Sequence, residues 1–189
     1  MDYQLERLIN SAAGHQPALD AVMVLLASFA APAVIALVVL WLAAGWLRND
    51  PAERHLALMA ALAGAVAIAV NLAISHVWYR PRPFADHPAT VSVLLRHSAD
   101  PSFPSDHAAA MFAIGFVIHR RHRRLGLAMI SAAALVGLAR VFVGDHYPGD
   151  VVGGAVVGAI VGVGLRRLLA AVANRIDEPL ASLRDRIGA

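Results

Sequence analysis

The sequence predicts an all-α protein: an integral membrane helix bundle with about five transmembrane helices, preceded by an N-terminal amphipathic helix. Three observations predict it. The 189 residues are 59% hydrophobic and only 15% charged, with a mean hydropathy of +0.62, well above what a soluble domain carries. The apolar residues run in stretches long enough to cross a bilayer, which takes about 20 residues per helix. The polar residues that interrupt this background gather in three clusters at the ends of those stretches.

The elements follow in order. Met1–His15 places Leu5, Leu8, Ile9 and Ala12 at i, i+3, i+4 and i+7, the spacing of an amphipathic helix lying at an interface or packed on the bundle. With Asp2, Glu6 and Arg7 and no short apolar run, it does not read as a cleaved signal peptide. Ala21–Leu47 has no charged residue and forms the first span, with Pro32 as a candidate kink. Asn49-Asp50-Pro51 marks a turn. Leu56–Tyr79 is the second span; its strong polar groups are Asn71, Ser75 and His76. Residues 80–103 form a loop rich in Pro, His and Asp. Three shorter spans follow, from Pro104 to Ile118, Leu125 to about Val143, and Pro148 to Leu165. Gly154, Gly158 and Gly162 lay a glycine strip along the last one, suited to close helix packing. The tail, 166–189, has mixed charge and reads as amphipathic or loosely ordered. Residues 1–189 make one domain, with a motif-bearing core at 56–165.

Charge sets the orientation and excludes a function class. All sixteen cationic side chains are arginine. If the second and fourth spans end outside, eleven arginines fall inside and five (Arg7, Arg80, Arg82, Arg96 and Arg140) fall outside, as the positive-inside rule requires. The basic run His119–Arg124 is then a topology signal, and no nucleic-acid partner is expected. The expected location is the inner (plasma) membrane, multi-pass, with all three polar clusters extracytoplasmic. The absence of cysteine removes disulfides, thiolate nucleophiles and thiolate metal ligands.

The clusters carry the chemistry. Arg140, His146 and Asp150 form the pattern R-x5-H-x3-D. Pro148 suits a first helical turn, which puts Asp150 in that turn and His146 just before it. A carboxylate there can hold one imidazole nitrogen and leave the other as nucleophile. In Pro104-Ser105-Asp106-His107, Ser105 suits an N-cap and the helix start offers N–H groups to an anion. His107 could protonate a leaving oxygen. Arg82 and Arg140 are rigid forks suited to phosphate oxygens. Taken singly, each has a plainer reading: dipole compensation for Asp150, capping for Ser105, snorkelling for Arg82. Together they supply phosphate clamps, an oriented nucleophile and a general acid, which is the equipment for phosphoryl transfer through a phosphohistidine with no metal or other cofactor.

These clusters resemble, in order and spacing, the three signature motifs of the type 2 phosphatidic acid phosphatase superfamily, K-x6-R-P, P-S-G-H and S-R-x5-H-x3-D. The matching residues are Ser75…Arg82-Pro83, Pro104-Ser105-Asp106-His107 and Ala139-Arg140…His146…Asp150. The resemblance implies that His146 attacks phosphorus, Asp150 orients it, and His107 protonates the leaving group. It also implies that Arg82, Ser105, Asp106 (through its backbone N–H) and Arg140 hold the phosphate. Ser75 stands where the motif has lysine, with His76 or Arg80 as candidate substitutes; Asp106 replaces glycine and Ala139 replaces serine. Within the superfamily, W-Y-R-P-R-P-F and P-S-F-P-S-D-H-A are similar to the bacterial undecaprenyl-diphosphate phosphatases of the bacitracin-resistance type. That implies a polyprenyl diphosphate substrate drawn from the surrounding membrane lipids.

Other readings stay open. Phosphatidic acid, phosphatidylglycerol phosphate or a lipid A phosphate would suit the same residues. Three Asp-His pairs, at 86–87, 106–107 and 145–146, could serve a metal-dependent hydrolase. A transporter would put its polar groups nearer the midplane. In the loop at 80–103, Asp86, His87, Arg96 and His97 are expected to shape the headgroup pocket.

Overall fold

The computed structural model describes residues 1–95, 98 and 100–187, with side chains as far as residue 168 apart from residue 166. It contains seven helices and, among the described residues, no strand: α1 (Asp2–Asn10), α2 (Pro17–Leu47), α3 (Pro51–Val77), α4 (Pro83–Asp86), α5 (Asp106–His119), α6 (Arg123–Phe142) and α7 (Pro148–Ile187). Proline opens α2, α3, α4 and α7, using its fixed φ where its missing N–H costs nothing. Asp50 caps α3 by accepting from the N–H groups of Ala52 and Glu53. The protein is an all-α membrane bundle. α2, α3, α6 and Pro148–Leu165 of α7 are long and apolar enough to cross a membrane. α2 runs unbroken through Pro32.

Of the five expected spans, the third is the shortest. α5 has 14 residues, a rise of about 21 Å against about 30 Å of hydrocarbon. It survives at that length because α3, α6 and α7 wrap it. Its Ala108, Ala109, Met111, Ala113, Ile114 and Val117 are buried. The glycine strip acts as the sequence predicts. A methyl group at Gly154, Gly158 or Gly162 would lie 2.4, 2.4 and 2.7 Å from the carbonyl oxygens of Ser105, Ala109 and Ala113. The α5 and α7 backbones therefore touch along three turns. The tail continues α7 as a helix as far as Ile187.

α1 packs on the bundle, and its inward face is polar. Glu6 and Asn10 are buried, whereas Leu5 and Leu8 are exposed. Asn10 donates to the carbonyls of Ser92 (2.9 Å) and Phe142 (2.8 Å) and accepts from the Ser92 N–H (2.8 Å). Tyr3 hydrogen-bonds Thr90 at 2.6 Å and stacks on His87. The same end of the bundle holds the α3–α5 and α6–α7 connections. At the other end, Glu53 ties α3 to Trp41, Arg121 and His122.

Candidate active site

Three backbone contacts draw the sequence clusters into one place. The Ser102 N–H donates to the Arg80 carbonyl (2.8 Å), the Ser105 N–H to the Asp150 carbonyl (3.0 Å), and the Leu94 N–H to the Val143 carbonyl (3.3 Å). Between α6 and α7 the chain reverses at Gly144, whose φ of +84° favours glycine. A methyl group there would also meet the Ser92 carbonyl at 2.9 Å. The Asp145 and His146 N–H groups fold back onto the Arg140 carbonyl (3.1 and 3.3 Å). R-x5-H-x3-D is thus a closed loop seated on the first turn of α7.

His146 is buried, with 2% of its surface exposed. Its Nδ1 lies 2.9 Å from the Ser102 carbonyl. A carbonyl only accepts, so this contact assigns the ring proton to Nδ1. Arg82 Nη1 then donates to Nε2 at 3.4 Å, which leaves Nε2 as the ring nitrogen that carries the lone pair. Asp150 Oδ2 faces Nδ1 at 3.7 Å, a longer contact than the expected imidazole–carboxylate hydrogen bond. That carboxylate is taken by other donors. Oδ2 accepts from the Ser102 hydroxyl and the Tyr147 N–H (2.8 Å), and Oδ1 from Arg80 (2.7 Å). Burial lowers the pKa of His146, with Asp150 and Asp145 pulling the other way. The imidazole is therefore neutral at pH 7.

The two clamp arginines meet on one carboxylate. Arg82 Nη1 reaches Asp145 Oδ1 at 2.8 Å and the Asp145 carbonyl at 3.2 Å. Arg140 pairs through Nη2 with Asp145 Oδ2 and donates from Nη1 to the Ala27 carbonyl (3.2 Å). Arg82 Nε also binds Asp100 at 3.0 Å. Partial burial would raise the Asp100 pKa, but Arg82 outweighs it and holds that carboxyl low. Two buried donors, Ser105 Oγ and Arg140 Nε, have no hydrogen-bond partner among the described residues. Ser105 stands at the N-cap of α5, yet its hydroxyl caps nothing.

The remaining expected residues sit at the rim. The Asp106 carboxylate accepts from Asn71 (2.9 Å), a buried α3 residue that also binds the Pro104 carbonyl. The Asp106 side chain is thereby tied to α3. Asp106 and His107 line an apolar cavity of about 360 Å³ between α2, α3 and α5. Ser75 bonds back to the Leu72 carbonyl of its own helix, and His76 is exposed. Arg80 brings the extra cation, but it binds Asp150 and Asp2 (2.7 Å each) and lies 3.9 Å over the Tyr147 ring. Tyr147 donates to Asp86 at 3.1 Å, and Asp86 pairs with His87. Arg96 and His97 lie outside the described residues. Among the described residues, no group of three His, Cys, Asp or Glu side chains could hold a metal ion.

Sequence reasoning missed Ser102, Asp2 and the place of Asp145. The doubled Pro-Ser of P-S-F-P-S was the available signal for Ser102. For the Asp2–Arg80 and Asp145–Arg82 contacts there was none, since those partners lie 78 and 63 positions apart.

The sequence matches the PAP2 superfamily over residues 53–173. It is 36% identical over 162 residues to the undecaprenyl-diphosphatase BcrC of Bacillus subtilis (strain 168), covering 86% of this chain and 81% of that protein. It is 32% identical over 154 residues to the bacitracin transport permease protein BcrC of Bacillus licheniformis, covering 82% of this chain and 73% of that one. The crystal structure of Aquifex aeolicus LpxE superposes with a TM-score of 0.70 at 26% identity, over 86% of this chain and 92% of that one. A family match across more than half of the sequence thus joins a helical bundle whose three motifs converge at one end, and the chain belongs to the PAP2 superfamily.

Proposed function

We propose that this membrane lipid phosphatase hydrolyses undecaprenyl diphosphate to undecaprenyl phosphate and inorganic phosphate through a phosphohistidine. The observation that carries the reading is the buried, neutral His146 with Nε2 directed at Arg82. Nε2 attacks the terminal phosphorus, an N–P bond forms, and the bond from phosphorus to the bridging oxygen breaks. His107 gives that oxygen its proton, and undecaprenyl phosphate leaves. Water then attacks the phosphohistidine, gives a proton to His107, and releases phosphate with His146 restored. Arg82, Arg140, Ser105 and the Asp106 N–H hold the phosphoryl oxygens as charge moves through them. Ser102 holds the Nδ1 side of the ring, and Asp150 holds Ser102.

All of 1–189 serves as one domain, with the motif-bearing core at 56–165. Similarity to an undecaprenyl-diphosphatase supports the substrate. The apolar cavity beside His107 supports a long tail in the bilayer. The arginine asymmetry supports an inner-membrane protein with its site facing outward.

The test is phosphate release by purified protein from undecaprenyl diphosphate, phosphatidic acid, phosphatidylglycerol phosphate and lipid A, with and without EDTA. The expected result is preference for the polyprenyl diphosphate, no loss with EDTA, and loss of activity in His146→Ala and His107→Ala. Full activity in His146→Ala would overturn the mechanism. Preference for another lipid would move the substrate and leave the chemistry standing.

A further inference from the structure

We propose that Asp145 is a built-in stand-in for the substrate phosphate: it occupies the phosphate subsite at rest, and the substrate must displace it. This rests on the phosphatase reading above and adds a gate to it. The Asp145 carboxylate touches the three groups a reacting phosphate would need. Oδ1 is 2.8 Å from Arg82 Nη1, Oδ2 pairs with Arg140 Nη2, and Oδ2 is 3.7 Å from His146 Nε2. No part of Asp145 is exposed to solvent. A planar carboxylate offers two anionic oxygens in the geometry that a guanidinium fork also accepts from phosphate.

Two further features fit a substitute smaller than the true ligand. Ser105 Oγ and Arg140 Nε are buried donors without a hydrogen-bond partner among the described residues, a costly state at rest. A tetrahedral phosphoryl group has more oxygens than a carboxylate to meet them. The resting charges are also closed on themselves. Arg80 pairs with Asp2 and Asp150, Arg82 with Asp100 and Asp145, and Arg140 with Asp145. Little positive field is left to draw in a stray phosphate ion. A ligand must bring enough binding energy to exchange with Asp145, and a tail lodged in the membrane supplies it where free phosphate does not. The device therefore discriminates against the product, inorganic phosphate, and in favour of lipid-borne phosphate.

The experiment compares wild type with Asp145→Asn and Asp145→Ala in detergent. It reads KM for polyprenyl diphosphate and the inhibition constants of inorganic phosphate and orthovanadate. If Asp145 competes for the subsite, both constants for the free anions fall by roughly tenfold or more in the variants, the weight of one charge-assisted hydrogen-bonded contact. KM falls in the same direction. A role confined to holding the arginines in place predicts the reverse, weaker inhibition and a higher KM, and that result or no change would overturn the inference. A second measurement uses the wild type alone and does not depend on the variants folding. Orthovanadate should produce an infrared difference band as an arginine-paired carboxylate changes partners, and its absence would overturn the inference. Wild type that releases phosphate from none of the lipids would instead sink the phosphatase reading.

Discussion

His146 and its neighbours fix what pH should do. As the proposed nucleophile His146 must be neutral, and burial has already lowered its pKa from the usual 6.5. The acid limb of kcat/KM that belongs to His146 is therefore expected below pH 6.5, and a limb above that value would contradict the buried neutral imidazole. The same shift bears on stability. Between the unfolded and folded pKa values the unfolded chain binds the extra proton. His146 thus contributes stability that is present above 6.5 and lost as pH falls through the folded value. Ser102 is a second residue-scale test. Its carbonyl sets the ring tautomer and its hydroxyl binds Asp150. Ser102→Ala keeps the carbonyl and removes the hydroxyl. We expect kcat to fall about 10- to 100-fold with KM nearly unchanged, the pattern of a misplaced nucleophile. A rise in KM alone would place Ser102 in binding.

At the scale of elements, α1 and α7 make the sharpest predictions. Glu6 is fully buried in α1, neither carboxylate oxygen has a hydrogen-bond partner among the described residues, and burial raises its pKa to about 7 despite Arg7. The folded state holds the proton that the unfolded state gives up. This contribution is complete below the unfolded value of 4.5 and lost as pH rises through about 7. Glu6→Gln should therefore stabilise the fold more at pH 9 than at pH 5, by about 2 kcal/mol. An equal shift at both would rule out the titration. On α7, Gly158→Ala puts a methyl group 2.4 Å from the Ala109 carbonyl, whereas Gly164 has nothing within 4 Å. Gly158→Ala should cost about 1–3 kcal/mol, and Gly164→Ala should be neutral or slightly stabilising. Both are read as melts in detergent.

Whole-molecule organisation is where sequence and structure can be weighed against each other. Hydropathy is a local property, so α2, α3, α6 and α7 were legible as apolar runs. The glycine strip was legible because its period is local too. α5 was legible as a helix but not in its dependence on its neighbours, since its length is tolerated only through contacts made elsewhere in the chain. The inward face of α1 is not the one that apolar spacing marks: Glu6 and Asn10 point inward, where Asn10 meets the carbonyls of Ser92 and Phe142. The motifs placed His146, Asp150, Arg82 and Arg140 together, while the Asp145 bridge between the two arginines needed tertiary structure. Orientation remains a whole-molecule prediction. The chain has no cysteine, so single replacements report cleanly. Ala89→Cys should react with a membrane-impermeant maleimide on intact cells, and Arg120→Cys only after permeabilisation. The opposite pattern would put the site in the cytoplasm.

The contact between α5 and α7 also decides traffic. Carbonyl oxygens lie within 2.7 Å of where a methyl group would stand at three successive glycines. A seam that refuses one carbon is a closed wall to an isoprenoid chain. For the proposed lipid substrate, the route to His146 lies on the other flank of α5, past Asp106 and His107, where the bundle holds an apolar vestibule. The glycines that set α7 against α5 thereby also choose the door.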